Sequence, residues 1–419
     1  MTEEAAAQAR GKTVYLHIGT PKSGTTYLQG ALKRNKERLA ARGVLWPGRN
    51  WGDQVFAVRD LANMHPHNHR PADVAGAWQR LVDEIHAWQG HSAIVSMEWL
   101  VGAKPQQIRR AVETLAPAEV SVVLTGRDLA RTIPADWQEA MQNWDTYSWD
   151  EYLAALVDPE LADAPPARRL WRQQDLGAIL SRWNEVVPAA RTHVITVPPP
   201  GTHPHVLWQR FAAVLGIDPD DYDTAAKGGN TSLGVVSAEL MRNINVRARE
   251  AGLSWKANEK LLKHVLAKQV LTKRSGLEPA LALPAEHYPW TIEHGKRIVS
   301  DVENAGVRVW GDLDELIPDP AHAREGTTPD AISDRDLLDA ALDGIVGLVG
   351  DVNGKLAAQQ PGRGAARAQP AGAEQALQKL PTRDLVKRFL VELASRVGWL
   401  GTLHRGWRAL RRRNQPTDR

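Results

Sequence analysis

The feature that most constrains this chain is the stretch at residues 13–32, which is typical of a strand, a loop and a helix in succession. Its first part is apolar and β-favouring at alternate positions, namely Val14, Leu16 and Ile18. The loop from Gly19 to Gly24 holds two glycines, a proline and a lysine, and helical apolar spacing begins after Thr25. Such a loop directs unpaired backbone N–H groups and the positive end of the helix dipole at one point. The sequence therefore predicts a phosphate site there.

The loop differs from the loop that binds nucleoside triphosphates. In that motif, G-x-x-x-x-G-K-[ST], a lysine directly follows the second glycine. Here Gly19 and Gly24 have the required spacing, but Thr25 stands where the lysine belongs, and the lysine lies inside the loop as Lys22. The alternative is an ordinary glycine-rich turn between a strand and a helix.

The segment Pro-Lys-Ser-Gly-Thr-Thr-Tyr-Leu at 21–28 resembles the 5′-phosphosulfate loop of the sulfotransferases that use 3′-phosphoadenosine 5′-phosphosulfate (PAPS). The resemblance implies a P-loop-like sulfotransferase fold, release of the desulfated product PAP, and no need for a metal. It also implies that Lys22 is catalytic and neutralises charge on the leaving oxygen. The loop residues that it assigns to the donor are Pro21, Lys22, Ser23, Gly24, Thr25, Thr26 and Tyr27.

A second motif, Val-Val-Leu-Thr-Gly-Arg-Asp-Leu at 122–129, resembles the start of the motif with which this family holds the 3′-phosphate of PAPS. The resemblance implies that Arg127 binds this phosphate, and a structural arginine at a strand end is the alternative. The serine that usually follows eight residues later is replaced by Ala135, so Arg131, Thr132 or an amide is the expected substitute. With the segments 197–201 and 230–234, the chain resembles a bacterial, actinobacterial branch of the family over about residues 12–318.

A carboxylate, Glu98, follows the predicted strand at 93–96. Members of the family place a histidine or a glutamate after the corresponding strand, so the resemblance implies that Glu98 takes the proton of the acceptor. Two alternatives stay open: Glu98 only pairs with Lys22, or His17 in the first strand is the base. Four tryptophans near these motifs either stack on the acceptor or belong to the core, and they are Trp99, Trp137, Trp144 and Trp149.

Predicted strands alternate with predicted helices, which indicates an α/β fold with a mainly parallel sheet flanked by helices. The strands are predicted at 14–18, 44–47, 93–96, 120–125 and 192–197, with a last strand or turn at 307–313. Ligands of such sheets bind at the carboxyl ends of the strands. Because Lys22, Glu98 and Arg127 each follow a predicted strand, we expect them to converge on one crevice.

The composition of the chain limits its chemistry, its location in the cell and its binding partners. The 419 residues include no cysteine, which excludes disulfides, thiolate metal sites and cysteine nucleophiles. The polar N-terminus and the lack of a long apolar run predict a cytoplasmic protein. Residues 361–419 hold 13 Lys and Arg residues against 4 Asp and Glu residues, a net +9, so the remaining chain is net −6. The acidic body does not favour nucleic-acid binding.

Three histidines alternate in a stretch, residues 48–72, that we predict to be a loop. His65, His67 and His69 are able to bind a metal from an extended backbone. Pro66 interrupts the run and no further ligand has a convincing spacing, so a polar surface loop or an acceptor-side loop is favoured. No metal site is predicted.

The domain organisation follows from shifts in composition. We predict a sulfotransferase domain over 1–318, a linker over 319–376 with one helix at 334–358, and a basic amphipathic helical tail over 377–419. Apolar residues recur in the tail at three- and four-residue steps, at Leu385, Phe389, Leu393, Val397, Leu400, Leu403, Trp407 and Leu410. Such a helix binds the inner face of an anionic membrane peripherally, docks on the acidic body, or pairs with a second copy.

The sequence thus favours an enzyme that moves a sulfuryl group from PAPS to a hydroxyl or amine. The acceptor is left open among a glycan, a glycolipid and a secondary metabolite. Two other classes remain as alternatives: a P-loop nucleotide kinase, and a non-catalytic nucleotide-binding or scaffold protein. Ala135 and the long tail suggest the last class.

Overall fold

The fold is that of a computed structural model, which describes residues 11–64, 74–225, 232–323 and 326–358. The chain forms two compact units, residues 1–354 and residues 355–419. Nearly all described residues belong to the first unit. The histidine stretch and the predicted tail at 377–419 lie outside the described residues.

The first unit is built on a parallel sheet of six strands in the order β2-β3-β1-β4-β5-β6. In chain order the strands are β1 (Thr13–Gly19), β2 (Val44–Leu45), β3 (Ser92–Ser96), β4 (Glu119–Gly126), β5 (Thr192–Thr196) and β6 (Arg308–Trp310). The central strand β1 is apolar and buried on both sides, as expected for a parallel sheet covered on two faces. The prediction of an α/β fold with a parallel sheet is confirmed.

The strand order creates a crevice at the carboxyl end of β1. The chain first passes to β2 and β3 on one side of β1, and then crosses to β4, β5 and β6 on the other side. A reversal of this kind leaves an opening at the carboxyl edge of the sheet, where ligands of such sheets bind. The pairing of β1 with β4 also shifts register between His17 and Gly19. This irregularity changes the direction of the chain just before the loop.

Helices cover both faces of the sheet. They are α1 (Thr25–Arg34), α2 (Lys36–Ala41), α3 (Trp51–Leu61), α4 (Ala77–Ala87), α5 (Pro105–Leu115), α6 (Leu129–Gln142), α7 (Trp149–Val157), α8 (Pro165–Gln174), α9 (Leu176–Asn184), α10 (His205–Leu215), α11 (Val235–Glu250), α12 (Trp255–Glu259), α13 (Tyr288–Asn304) and α14 (Asp334–Ala358). A π-helix (Lys260–Val270) continues α12, and a 3₁₀ helix (Glu98–Gly102) follows β3.

The core consists of two apolar clusters separated by the sheet. On one face, α1, α2 and α10 bury Leu28, Leu32, Leu39 and Phe211 against Ile94, Val123 and Ile195. On the other face, a larger cluster packs Leu16, Val95 and Val122 against the helices from α3 to α9 and also against α11 and α13. Alternate residues of β1 therefore face opposite layers, as the two-residue period of a strand requires.

The structure corrects two sequence predictions about local structure. Residues 48–72 are not all loop, because α3 occupies Trp51–Leu61, where the Asn50 side chain accepts a hydrogen bond from the Gly52 backbone at 2.8 Å. This cap stabilises the helix, as do the buried side chains of Val55, Val58 and Leu61, which are three residues apart. The polar residues around them made the stretch resemble a loop in the sequence. The apolar spacing of Leu28, Ala31, Leu32 and Leu39 also predicts a single helix from Thr25 that ends at Gly43, whereas the structure divides it at Asn35.

Helix α14 packs on the first unit through its buried Ala340, and Asp343 pairs with Arg274. The first unit itself ends at Gly354, and the domain boundary at residue 318 stays a prediction. Over the residues that the structure describes, no helix has both the length and the apolar character needed to cross a bilayer.

Candidate active site

The loop between β1 and α1 has a left-handed backbone at three positions, with φ of +115° at Gly19, +66° at Lys22 and +85° at Gly24. At each of the two glycines a side chain would meet a different neighbour. A Cβ on Gly19 would lie 3.3 Å from the Glu98 Cβ, and one on Gly24 would lie 2.4 Å from the Leu207 Cδ2. At Lys22 the left-handed conformation costs about 1–2 kcal/mol for a residue with a side chain. Contacts elsewhere in the loop must therefore hold it.

Those contacts come largely from the end of β4. The backbone N–H and hydroxyl of Thr20 both donate to the Thr125 carbonyl, at 2.9 and 3.1 Å, and the Thr125 hydroxyl donates to the Gly19 carbonyl at 2.9 Å. The Ser23 hydroxyl is fully buried and contacts the Thr20 carbonyl and the Thr125 hydroxyl. The Ser23 side chain thus stabilises the loop from inside, and its hydroxyl does not face the crevice.

Two further side chains donate hydrogen bonds to carbonyls of the loop. Gln174, at the end of α8, donates to the Pro21 carbonyl at 2.9 Å. Arg127, directly after β4, donates to the Lys22 carbonyl at 3.1 Å. The guanidinium of Arg127 therefore lies against the loop itself, as the convergence of strand ends predicts.

Helix α1 begins where the loop ends, and its first turn is suited to an anion. Gly24 is the N-cap and offers no side chain to the first backbone N–H groups, and the first turn contains no acidic residue. Thr25 is buried, Thr26 is exposed, and Tyr27 is half-buried beside Thr224. The uncapped N–H groups and the helix dipole point into the crevice region.

Lys22 forms an ion pair with Glu139 of α6. The side chain of Lys22 is only 21% exposed, and that of Glu139 is 45% exposed. Burial lowers the pKa of Lys22 to about 8, while the negative charges of Asp136 and Glu98 act in the opposite direction. Lys22 therefore lies among three carboxylates, and its ion-pair partner in this structure is not Glu98.

Glu98 begins the 3₁₀ helix after β3 and lies against Gly19. Its carboxylate accepts a hydrogen bond of 2.8 Å from the side-chain amide of Gln29, which is buried in α1. The same amide lies 3.3 Å from the Ser96 carbonyl. Gln29 thus fixes the Glu98 side chain at the carboxyl edge of the sheet, next to the loop that holds Lys22.

His17 lies inside the protein instead of facing the crevice. Its side chain is 1% exposed, its Nδ1 lies 2.7 Å from the Ser96 hydroxyl, and its ring packs edge-on against Phe211. Burial lowers the pKa of His17 to about 3, so the ring is neutral at ordinary pH. A ring enclosed in this way is suited to packing and does not reach an acceptor.

Arg131 and Ala135 share one face of α6 with Glu139, because they are four residues apart. Arg131 pairs with Asp128 and donates to the Pro198 carbonyl at 2.8 Å, which joins the loops after β4 and β5. Its guanidinium is engaged in these contacts, so the structure does not show it taking the place of the missing serine. Ala135 lies between these two residues and provides no hydroxyl.

Four residues at this site were missed by sequence reasoning: Gln29, Glu139, Gln174 and Thr125. Each one acts on the loop or on Glu98 from another segment of the chain, so its role does not follow from the local sequence, although Thr125 lies within the motif at 122–129. For Glu139 a signal existed, since it lies two helical turns after Arg131 on the same face. Of the four tryptophans, Trp137 and Trp149 are buried in the core, whereas Trp99 and Trp144 are half-buried.

Within the described part of the chain, no group of three or more histidine, aspartate and glutamate side chains has an arrangement that could hold a metal ion. The three alternating histidines at 65, 67 and 69 are not among the described residues.

Comparison with known proteins does not assign this chain to a family. No family model matches this chain. No curated protein matches it either. Five chains among the solved structures match, including a sulfotransferase from Alicyclobacillus acidocaldarius, with 16% sequence identity and a TM-score of 0.34 over 60% of this chain and 95% of that one. At this identity and TM-score the likeness does not define a family for this chain, so its function has to be inferred from the residues at the carboxyl edge.

Proposed function

We propose that this protein transfers a sulfuryl group from PAPS to a hydroxyl or amine of an acceptor and releases PAP. The observation that carries the proposal is the position of Lys22 and Arg127 at one loop, with a carboxylate, Glu98, at the start of that loop. A donor with separate 5′ and 3′ phosphate groups needs two cationic contacts, and transfer to a hydroxyl needs a base nearby.

The residues fit the donor by their chemistry. The uncapped N–H groups of α1, the Thr26 side chain and the Lys22 ammonium suit the 5′-phosphosulfate, and Arg127 suits the 3′-phosphate. Ser23 would contribute through its backbone, because its hydroxyl is engaged inside the loop. PAPS supplies an activated sulfuryl group with PAP as leaving group.

The roles of this chain's own residues follow from the chemistry of the exchange. The bond between sulfur and the bridging oxygen breaks, and a bond between sulfur and the acceptor oxygen or nitrogen forms. Glu98 takes the proton that the acceptor loses, and Lys22 offsets the negative charge that develops on the bridging oxygen. For Lys22 to do so, its ammonium must leave Glu139 and turn toward the donor.

The first test is binding of PAP in the presence of a chelator, measured by calorimetry on the full chain. PAP should bind without magnesium, and Lys22→Ala should reduce sulfuryl transfer from labelled PAPS to fractionated host extract by about 10²–10³. Alanine faces the same left-handed backbone as lysine, so stability should change little. Lys33→Ala, which removes an exposed lysine of α1, the helix that follows the loop, is the control and should behave as wild type.

Two results count against the proposal. Tight binding of ATP that requires magnesium, with no binding of PAP, favours the P-loop kinase. Binding of PAP without transfer to any fraction, and with no effect of Lys22→Ala on PAPS breakdown, favours a non-catalytic nucleotide-binding protein.

A further inference from the structure

Trp144 has an unusual backbone conformation. Within the described ranges, the residues other than glycine with a left-handed backbone are Lys22, Asn63 and Trp144. Asparagine tolerates this conformation, whereas a bulky side chain adopts it at a cost. Lys22 belongs to the loop after β1, and Trp144, with φ of +75°, lies just after helix α6. Strained positions of this kind persist only where contacts hold them, and they cluster at active sites and ligand clamps.

The turn that carries Trp144 is held by helix α11. The side-chain amide of Asn245, which is fully buried, donates to the Met141 and Asp145 carbonyls at 2.8 Å each. The Arg249 guanidinium donates to the carbonyl of Trp144 itself. The backbone is thus fixed on both sides of Trp144, so this turn needs no ordering when a ligand binds.

A second tryptophan enlarges the aromatic surface. Trp255 begins helix α12, shortly after α11, and its ring centroid lies 5.6 Å from that of Trp144, with the ring planes tilted by 43°. Both side chains are half-buried, so each keeps part of its surface in solvent. Because the planes are tilted, neither ring covers the face of the other completely. These two residues are called the tryptophan pair below.

The tryptophan pair lies at the end of the helix that runs along the loop after β1. Arg127, two residues before α6, donates to the Lys22 carbonyl at 3.1 Å, and Glu139, in the last turn of α6, pairs with the Lys22 ammonium. Asn143 ends α6, and its side-chain amide donates to the Glu139 carbonyl at 3.0 Å. Trp144 therefore directly follows the helical turn that carries the partner of Lys22.

The groups next to the pair are polar. Asn143 is exposed, and its side-chain oxygen accepts a hydrogen bond of 2.5 Å from the Lys263 ammonium. An aromatic surface with polar groups at its edge matches a pyranose ring, which has an apolar face of C–H groups and hydroxyls around its rim. A purely aromatic ligand would use the ring faces but not these polar groups. The surroundings therefore favour a sugar.

We infer that the tryptophan pair is a sugar-binding subsite on which a pyranose ring of the acceptor stacks, so the acceptor is a glycan or a glycolipid. The inference rests on the proposed function where it names the bound sugar as the acceptor. The subsite itself depends only on the tryptophan pair, its polar neighbours and the turn that holds it.

The test measures binding of four neutral β-linked tetrasaccharides to the full chain, by saturation-transfer NMR and calorimetry at millimolar concentration. Their sugars are glucose, N-acetylglucosamine, mannose and xylose. We expect at least one of them to bind, and Trp144→Leu to weaken that binding about tenfold, because the aromatic face is lost. Leucine faces the same left-handed backbone as tryptophan. Trp144→Phe keeps an aromatic ring there and should stay within about threefold of wild type.

Trp255→Leu is the second variant, because it removes one ring of the pair without changing the left-handed turn. It should match Trp144→Leu in direction. Trp88→Leu is the matched control and should bind the sugar as wild type does, since Trp88 is also half-buried but lies between α4 and β3, at the amino edge of the sheet. Melting temperatures and PAP affinity show whether each variant is folded.

The acceptor role has its own measurement. With labelled PAPS and an acceptor fraction, Trp144→Leu should raise the KM for the acceptor about tenfold and leave the affinity for PAP unchanged, because the tryptophan pair lies outside the donor contacts. An unchanged KM would show that the sugar bound at the pair is not the acceptor.

The inference is overturned if folded Trp144→Leu and Trp88→Leu bind the sugar equally, or if no tetrasaccharide binds to the wild type. It is also overturned if naphthol, an aromatic probe, binds in a manner that depends on Trp144 and no sugar does. Binding of PAP to the wild type is measured separately. If PAP does not bind while a sugar still binds through Trp144, the proposed function fails and the subsite stands. If PAP binds and no sugar does, the subsite alone fails.

Discussion

At the scale of single residues, three carboxylates surround Lys22 and each is held differently. Asp136 is buried and accepts hydrogen bonds from the Tyr152 hydroxyl at 2.8 Å and from Arg169 at 3.2 Å. Glu139 is paired with Lys22 itself. Glu98 has one amide donor, Gln29, and it adjoins the loop. Asp136 and Glu139 are thus paired with cations, whereas the partner of Glu98 is a neutral amide, which supports our proposal that Glu98 is the base.

The roles of the two carboxylates can be separated by isosteric variants. Glu98→Gln should keep the fold and the affinity for PAP but lower the transfer rate by about 10²–10⁴, because glutamine cannot accept the proton. Glu139→Gln should lower the rate by less than about tenfold, since it only frees the Lys22 ammonium. Rates of PAP release with an acceptor fraction, and melting temperatures, are the measurements. Normal turnover in the first variant with loss in the second would make Glu139 the base.

At the scale of elements, the unit formed by β1, the loop and α1 depends on contacts with two neighbours. Thr125 of β4 holds the beginning of the loop, and Leu207 of α10 closes on Gly24 at its end. Because neighbouring elements contact the loop at both of its ends, its shape depends on packing as much as on its own residues. A change at Gly24 should therefore affect stability and donor binding together.

Gly24→Ala tests this coupling. The variant adds a side chain at a left-handed position and moves Leu207, which together should lower the free energy of unfolding by about 2–4 kcal/mol and weaken PAP binding. Gly30→Ala, in the middle of α1, is the control. Its new Cβ meets only the flexible end of Arg34 at 3.3 Å, so helix propensity should leave stability unchanged or raise it by about 1 kcal/mol. Chemical denaturation and calorimetry measure both quantities, and equal effects of the two variants would contradict this account.

At the scale of the whole molecule, the parallel sheet brings the carboxyl ends of β1, β3 and β4, which are distant in sequence, to one edge. Every residue that we assign to the donor lies within the first unit. We propose that the basic amphipathic stretch at 377–419 acts in attachment, to an anionic membrane, to the acidic body or to a second copy of the chain.

Truncation after residue 376 tests this assignment. The shortened chain should bind PAP with unchanged affinity, since no donor contact is removed. If the stretch attaches to membrane, the full chain should co-sediment with anionic liposomes at low salt, the truncated chain should not, and added salt should weaken the association. Full-length protein that stays in the supernatant at low salt would leave docking on the body or self-association, which sedimentation of both forms would then distinguish.

What the sequence determined by itself is local. The strand, the glycine loop and the helix start at Thr25 are encoded within twenty neighbouring residues, and alternation of strands and helices is enough to predict a parallel sheet. Because strand ends in such a sheet share one edge, even the convergence of Lys22, Glu98 and Arg127 could be predicted. The sequence analysis predicted a loop in place of helix α3. The helix has few apolar residues, and only their burial in the core shows that they share one face.

Only the tertiary structure decided which side chains hold the loop in place and which charged groups lie beside Lys22. The pair of Lys22 with Glu139 joins residues 117 positions apart, and the bond from Gln174 to Pro21 spans 153 positions. The engagement of Arg131 and the burial of His17 also depend on neighbours from other segments. Side-chain partners of this kind arise from packing across the sheet, and no local pattern in a sequence encodes the distance between two such residues.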